Sequence, residues 1–374
     1  MSADRINLLR TKVFDKSKWM QLPRDVLIGH DVIEQVPAVC EDLALGDSVL
    51  IVSGGRTRDV AGRRVESLLS ASYDVRTFIA IDGDPLETIR KAEAAAAEVA
   101  FVIGVGGGRI IDTAKIASYN TDRHFISIPT AASHDGIASS RASVPTAEGN
   151  VSLAAEPPIA VVADTAVIAS APHRLLASGC ADIIANYTAI LDWELSHRLR
   201  GEPISEYALT LSRMTAEILF QNADLIKPNS EESAWIVTKA LVSSGVAMSI
   251  AGSSRPASGG EHKFSHALER LAPGKGLHGE KCGIGAIITM YLHGGDWRGI
   301  RDSLRKIGAP TTPAEIGVDD ETAVEALLAA RTIRPERFTI LDMGLTRESA
   351  RNLVKMLYQR SEERRVGKEC SVTC

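Results

Sequence analysis

Three histidines lie close together in residues 259–281, GGEHKFSHALERLAPGKGLHGEK. His262 and His266 are four positions apart, so on a helix their imidazoles would share one face, as two metal ligands often do. His278 follows the turn-forming sequence APGKG, which allows the chain to return to the same point. Imidazole suits Zn²⁺, Fe²⁺ and Ni²⁺, so the ligand type leaves the metal undecided. The alternative is a chance cluster of surface histidines.

One carboxylate stands alone in an apolar segment. Asp182 is the only acidic residue in LLASGCADIIANYTAIL, residues 175–191, and burying it is costly unless it is paired or bound to a metal. The alternative is an exposed polar stripe shared with Asn186. A catalytic metal keeps one coordination position open, and Asp182 plus three histidines would fill a tetrahedral zinc. Either one histidine is not a ligand or the site is structural, and we expect the first, with that histidine serving the substrate.

Glycines follow a predicted strand in VAFVIGVGGGRIIDTAKIAS, residues 99–118. Backbone without side chains can approach a phosphate, and the start of the next helix complements its charge. The spacing matches neither G-x-G-x-x-G nor the P-loop, so a tight turn is the alternative. A second strand–glycine–helix junction, at residues 54–55, favours a dinucleotide.

A segment rich in hydroxyl groups, SIPTAASHDGIASSRASV, follows another predicted strand at residues 127–144. It contains His134 and Asp135. Serine, aspartate and glycine favour turns, so an ordinary polar loop is one interpretation. The position after a strand's carboxyl end makes it a candidate site loop.

The elements that must hold these residues change character along the chain. Short apolar runs alternate with helical patterns from about residue 25 to 165, which predicts a doubly wound parallel sheet. The predicted strands are DSVLIVSG, VRTFIAI, VAFVIGVGGG, FISIPT and IAVVAD. Only helical periodicity follows Pro172. We predict an α/β domain over 1–168, an all-helical domain over 169–360, and a non-native or disordered tail over 361–374.

Composition limits the classes of partner. The net charge of −5 gives no electrostatic case for nucleic acid or an anionic membrane. The N-terminus lacks the pattern of a signal peptide, and no uninterrupted apolar run reaches the roughly 18 residues of a membrane span. The five cysteines have no disulfide or zinc-finger spacing. We expect reduced thiols in a cytoplasmic protein.

Six segments together resemble the sn-glycerol-1-phosphate dehydrogenases, within the superfamily of glycerol dehydrogenase, iron-type alcohol dehydrogenase and dehydroquinate synthase. They are KWMQLPRDVLIGHDVI, GVGGGRIIDTAKIAS, PTAASHDGIASSRASV, SGCADIIANYTAILDW, GGEHKFSHAL and GLHGEKCGIG. The resemblance covers about residues 15–360. It implies a dehydroquinate synthase-like fold and NAD(P)H-dependent reduction of dihydroxyacetone phosphate to sn-glycerol 1-phosphate, for archaeal-type ether lipids. It also implies a metal, usually zinc, and commonly a homo-oligomer.

The resemblance also assigns roles to residues. Asp182, His262 and His278 match the metal ligands, and Asp182, Asp135 and His266 match catalytic or substrate contacts. The positions that match contacts with NAD or NADP are Gly106, Gly107, Gly108, Arg109, Ile110, Ile111, Asp112, Thr130, Ala131, Ala132, Ser133 and Ser139.

Some questions stay open at this level. Lys263, Arg255 and Lys281 are near enough in sequence to be considered for the substrate phosphate, but none is preferred. The competing functions are a polyol dehydrogenase acting on glycerol, a lyase of the dehydroquinate synthase kind, and a cofactor-binding sensor without turnover.

Overall fold

A computed structural model of the chain describes residues 20–81, 83–146 and 149–358. The predicted tail, 361–374, lies outside the described residues. The strands are β1 (Asp25–Gly29), β2 (Ser48–Gly54), β3 (Asp74–Ala80), β4 (Phe101–Gly106), β5 (His124–Pro129), β6 (Arg141–Thr146), β7 (Gly149–Ala154) and β8 (Ala160–Asp164). The helices are α1 (Val36–Leu43), α2 (Gly55–Thr57), α3 (Arg63–Leu69), α4 (Pro85–Ala96), α5 (Gly108–Asn120), α6 (Thr165–Ser170), α7 (His173–Arg200), α8 (Glu206–Gln221), α9 (Glu231–Ala251), α10 (Gly260–Leu271), α11 (His278–Leu292), α12 (Trp297–Ile307), α13 (Asp320–Ala329) and α14 (Arg347–Tyr358).

Six strands form a parallel sheet in the order β1-β8-β5-β4-β2-β3. Strands β2, β4, β5 and β8 are buried almost throughout, as expected of a sheet with helices on both faces. The chain pairs β3 with one side of β2 and then β4 with the other side. This reversal creates a crevice at the carboxyl ends of β2 and β4, where doubly wound sheets bind ligands.

The predicted loop over residues 127–144 is wrong in its last part. Strand β6 starts at Arg141 and pairs antiparallel with β7, in a hairpin separate from the main sheet. The strand signal there is weak because it directly follows turn-forming residues. The hairpin is tied to α5 by the Ser143 amide, which donates to Asp112 Oδ2 at 3.1 Å. The short strand β1 is likewise absent from the predicted strands.

The helices predicted after Pro172 are present, and the sheet ends at Asp164. The predicted division at residue 168 therefore lies within α6, and the existence of two domains stays a prediction. The predicted fold class, a doubly wound parallel sheet followed by helices, is confirmed. The longest helix, α7, is buried along most of its length, so the helical core forms around it.

One helix, α9, is long and apolar enough to cross a membrane by length and composition alone. In this structure 56 % of its most apolar window is buried inside the protein. The side chain of Ser244 on this helix donates to Asp135 Oδ2 at 3.0 Å. In the described part of the chain α9 is thus a core helix that contributes to the candidate site.

Candidate active site

Asp182 and two histidines meet where α7, α10 and α11 come together. Asp182 Oδ1 lies 3.6 Å from His262 Nε2 and 3.6 Å from His278 Nε2. Cys282 Sγ lies 3.7 Å from His278 Nε2. One ligand atom from each of these four residues lies within 4.8 Å of all the others. The three residues predicted as metal ligands are therefore brought together, although they are far apart in sequence.

Close packing of α11 on α7 sets this arrangement. A Cβ atom at Gly279 would lie only 1.9 Å from the carbonyl oxygen of Ser178. Glycine therefore allows the start of α11, with His278, to touch the segment of α7 that precedes Asp182. Cys282 follows His278 by four positions on α11, so both side chains share the face that looks toward Asp182.

Asp182 is buried, with 3 % of its surface exposed, so the exposed polar stripe considered above is wrong. Its Oδ2 accepts a hydrogen bond from the backbone of Asp135 at 3.2 Å, whereas its Oδ1 has no hydrogen-bond partner. Burial, and next the charge of Asp135, raise the pKa of Asp182 to about 7. A buried carboxylate oxygen without a donor, aimed between two imidazoles, fits a bound cation.

Glu261 orients His262, one of the candidate metal ligands, from the other side. Its Oε1 lies 3.0 Å from His262 Nδ1, which leaves Nε2 of that imidazole for the cluster. Its Oε2 accepts from Thr188 Oγ1 at 2.8 Å, and the side chain is fully buried. A carboxylate behind a ligating imidazole fixes its tautomer and raises its basicity. Sequence reasoning missed Glu261; its position beside a candidate histidine was the available signal.

His266 lies next to the cluster but outside it. Its ring centroid is 6.5 Å from that of His262 and 6.1 Å from that of His278. Burial, followed by the charge of His262, lowers the pKa of His266 to about 3, so its imidazole is neutral near pH 7. The expected separation of one histidine from the other two is therefore present in the geometry.

Asp135 and His134 connect this cluster to the glycine loop. Both line one cavity together with His262, His266 and His278. His134 Nδ1 accepts from the Gly136 amide at 2.9 Å, and its pKa is lowered by burial. Asp135 has a raised pKa because it too is buried. The polar segment after β5 thus lines the cavity next to the candidate metal ligands, and its role as a site loop stays a prediction.

The glycine loop borders a second cleft at the sheet's switch point. Residues 54–57, 80–81 and 107–110 line it, so both predicted glycine junctions meet there. His134 lies between this cleft and the metal-ligand cluster: a Cβ at Gly108 would lie 1.8 Å from His134 Nε2. The imidazole of His134, which lines the first cavity, is therefore in contact with the glycine loop that lines the second.

The remaining predicted cofactor residues occupy different places. The backbone of Thr130 donates to Gly106 at 3.0 Å, which joins the site loop to the glycine loop. Ala131 and Ala132 are buried beside it. The side chain of Ile111 lies in the hydrophobic core, so it has no part in the cleft lining. Residues of this set that line one of the two cavities are Gly107, Gly108, Arg109, Ile110, Asp112 and Ser139.

Two buried charged residues of α5, Lys115 and Asp112, support the cavity that holds the histidines. Lys115 donates to the carbonyl oxygens of Gly136 at 2.5 Å and Arg141 at 2.7 Å. Burial lowers the pKa of Lys115 to about 8 and raises that of Asp112 to about 6. The Oδ1 of Asp112 has no hydrogen-bond partner. This pair holds the site loop and the β6–β7 hairpin on α5.

The fold defines the class of protein. The structure resembles a probable glycerol dehydrogenase from Sinorhizobium meliloti 1021, with a TM-score of 0.75 and 22 % identity, covering 91 % of this chain and 98 % of that chain. Glycerol dehydrogenase from Schizosaccharomyces pombe gives 0.74 at 20 % identity, covering 95 % and 94 %. The family model for iron-containing alcohol dehydrogenase matches residues 27–172. The chain has the fold of these dehydrogenases.

Closer relatives define the particular family. Glycerol-1-phosphate dehydrogenase NAD(P)+ from Methanoculleus marisnigri is 91 % identical over 359 residues, which is 96 % of this chain and 100 % of the relative. The protein of the same name from Methanoregula boonei is 72 % identical, over 96 % of this chain and 99 % of the relative. The chain belongs to the glycerol-1-phosphate dehydrogenase family and is an oxidoreductase.

Proposed function

We propose that this protein reduces dihydroxyacetone phosphate to sn-glycerol 1-phosphate, with one NAD(P)H and one proton consumed for each product. The observation that carries the proposal is the cavity in which His266 and Asp135 face a set of metal-ligating side chains. His134, one of the residues that line that cavity, touches Gly108 of the glycine cleft. The arrangement suits hydride transfer between a dinucleotide cofactor and a small substrate that is bound at the metal.

Asp182, His262 and His278 would hold the metal, with Cys282 within reach as a fourth group. A divalent metal at this place supplies Lewis-acid polarisation of the substrate's C2 carbonyl. Among metals, nitrogen and sulfur donors beside one carboxylate favour zinc, while nickel and iron are also compatible with imidazole. We therefore propose Zn²⁺ as the native metal.

The cofactor would occupy the glycine cleft. Gly107, Gly108 and the start of α5 give backbone N–H groups and a positive helix end for its pyrophosphate. NAD(P)H supplies the hydride for the C2 carbon. His134 touches the glycine loop on one side and faces His278 on the other, at a ring-centroid distance of 6.5 Å. We assign His134 to the boundary between the nicotinamide and the substrate.

His266 and Asp135 would position the substrate. His266 is neutral at the pH of the cell, so it can donate one hydrogen bond to a hydroxyl or carbonyl oxygen without adding charge. Asp135 is held by Ser244 and can accept from a substrate hydroxyl. Together they would orient the carbonyl, and the neutral His266 would relay a solvent proton to the reduced oxygen by accepting it at one ring nitrogen while donating from the other.

Measurement of NAD(P)H oxidation with dihydroxyacetone phosphate tests this assignment. Turnover is expected to disappear after metal removal and to return on addition of Zn²⁺. Absence of turnover with the metal restored would reject the reaction, and full turnover in verified metal-free protein would reject the role of the metal. Glycerol as the preferred substrate would indicate a polyol dehydrogenase. Product formation without net NAD(P)H consumption would indicate the lyase.

Two further properties follow from the same proposal. Cys40, Cys180 and Cys282 are free and buried, which fits a reducing compartment, and we infer a cytoplasmic enzyme of archaeal-type ether-lipid synthesis. We also infer a homo-oligomer. Size-exclusion chromatography with light scattering is the direct test of the oligomer.

A further inference from the structure

The thiol of Cys282 lies beside all three of the predicted metal ligands. Cys282 follows His278 by four positions on α11, a spacing that places two ligands on one helix face. Its Sγ lies 3.7 Å from His278 Nε2, and its side chain also interacts with that of His262. Its sulfur, both imidazoles and the carboxylate of Asp182 all lie within 4.8 Å of one another. A soft ligand is therefore present where the metal would bind.

The distances between these ligand atoms are close to those around one tetrahedral zinc. Bonds of about 2.0–2.1 Å to nitrogen or oxygen and about 2.3 Å to sulfur place oxygen roughly 3.3 Å from nitrogen, and sulfur roughly 3.6 Å from nitrogen. Asp182 Oδ1 lies 3.6 Å from His262 Nε2 and 3.6 Å from His278 Nε2. The sulfur lies 3.7 Å from the same atom of His278. Small shifts of these side chains would therefore let all four bind a single ion.

A second observation, on Asp182, also points to an ion beside this thiol. The Oδ1 atom of Asp182 is buried and has no hydrogen-bond partner among the residues that the structure describes. A buried carboxylate oxygen without a donor is unfavourable unless a cation compensates it. The third histidine of the stretch, His266, stands apart, with its ring centroid 6.5 Å from that of His262. Cys282 is therefore better placed than His266 to be the fourth ligand.

The sulfur approaches the candidate metal position from the protein core rather than from the cavity. The three histidines line the cavity, whereas neither Cys282 nor Asp182 is among its lining residues. Cys282 is fully buried and belongs to the hydrophobic core around α7. A thiolate bound from the core side would leave the cavity side of the metal for a substrate oxygen, because catalytic zinc can expand to five ligands. A fourth protein ligand is therefore compatible with catalysis.

We propose that the Cys282 thiolate is the fourth metal ligand of the substrate-free enzyme, together with Asp182, His262 and His278. On binding, the sulfur exchanges its proton for a bond to the metal, and the proton is released to solvent. A thiolate favours Zn²⁺ over metals that prefer oxygen ligands, such as Mg²⁺ and Mn²⁺. The inference rests on the proposed function for the presence of a metal, and it adds one ligand to that metal.

Loading the full chain with one equivalent of Co²⁺ tests the metal–sulfur bond. A cobalt–thiolate bond gives a near-ultraviolet charge-transfer band that nitrogen and oxygen ligands do not give. Wild type should show this band, and Cys282→Ala should lose it while its visible cobalt bands show that the ion is still bound. Cys180→Ala is the matched control, because Cys180 is an equally buried thiol of the same core outside the four-residue set. Chelator competition should show Zn²⁺ affinity at least about 100-fold lower for Cys282→Ala, and wild-type affinity for the control.

X-ray absorption of zinc-loaded wild type decides the same point even if Cys282→Ala does not fold. One sulfur at about 2.3 Å from zinc is the expected result. Only nitrogen and oxygen around zinc, bound cobalt without the charge-transfer band, or a band that survives Cys282→Ala would overturn the thiolate ligand. A wild type that binds neither metal would overturn the whole ligand set. None of these measurements uses turnover, so an enzyme that binds metal but is inactive on dihydroxyacetone phosphate would reject the proposed function alone.

Discussion

Gly279→Ala should separate the metal ligands without changing any of them. The new Cβ would have to move from 1.9 Å to at least 3.4 Å from the carbonyl oxygen of Ser178, so α11 must retreat from α7 by about 1.5 Å at that point. His278 is the adjacent residue, while Asp182 stays on α7. Metal–ligand distances tolerate only about 0.2 Å. Metal affinity should therefore fall on the order of 100-fold, about 2.7 kcal/mol.

Gly283→Ala provides the matched control on the same helix. Its Cβ would lie 3.0 Å from Ala181 Cβ and 3.3 Å from a Leu304 methyl, which the neighbours can absorb by shifts of a few tenths of an ångström. We expect its metal affinity to fall less than about tenfold. Competition for Zn²⁺ with a chromophoric chelator gives the affinities, and urea unfolding of metal-free protein should show a loss of about 1–3 kcal/mol for Gly279→Ala. A folded Gly279→Ala protein with wild-type affinity for Zn²⁺ would show that the close contact between Gly279 and Ser178 does not set the position of His278.

Three more outcomes follow from the site. Glu261→Gln keeps an oxygen acceptor for His262 Nδ1, and its amide nitrogen can donate to Thr188 instead of accepting from it, but it removes the charge behind a candidate metal-ligating imidazole. Chelator competition should therefore show metal affinity about 10- to 100-fold lower; an unchanged value would contradict this. Gly108→Ala would place Cβ 1.8 Å from His134 Nε2, whereas Gly107→Ala meets nothing within 4 Å, so fluorescence titration should show weaker NADH binding only for the first. His266 binds a proton near pH 6.5 when unfolded but only near pH 3 when folded, so metal-free protein should lose stability as pH falls below 6.5. His266→Gln should reduce that slope by up to about 1.4 kcal/mol per pH unit, and an identical slope in both proteins would count against the buried neutral imidazole.

The sequence predicts the sheet well because its strands are buried and therefore almost uniformly apolar. The β6–β7 hairpin escapes prediction because serine, arginine and threonine carry no apolar run, and its position depends on tertiary contacts such as that between Ser143 and Asp112. The shared face of His262 and His266 is predictable from the four-residue spacing once their segment is taken as a helix. The distance between this helix and Asp182 is not predictable from the sequence, because that distance depends on how closely three helices pack.

The resemblance to a family supplies the ligand set, whereas the groups around it come only from the structure. Glu261 lies beside His262, and Cys282 lies beside His278, because of the way α10 and α11 pack together. The pairing of Lys263 with Asp342 could not be predicted, because the two residues are far apart in sequence. For the same reason Arg334 gave no signal as a residue of the cavity.

Metal content measured together with turnover tests most directly whether the three histidines divide metal binding and substrate contact between them. His262→Ala and His278→Ala should lose both the metal and NAD(P)H oxidation with dihydroxyacetone phosphate. His266→Ala should keep the metal at wild-type stoichiometry while turnover falls about 100-fold, the lower range for loss of a proton-transfer group. Equal metal loss in all three variants, or full turnover in His266→Ala, would contradict the account.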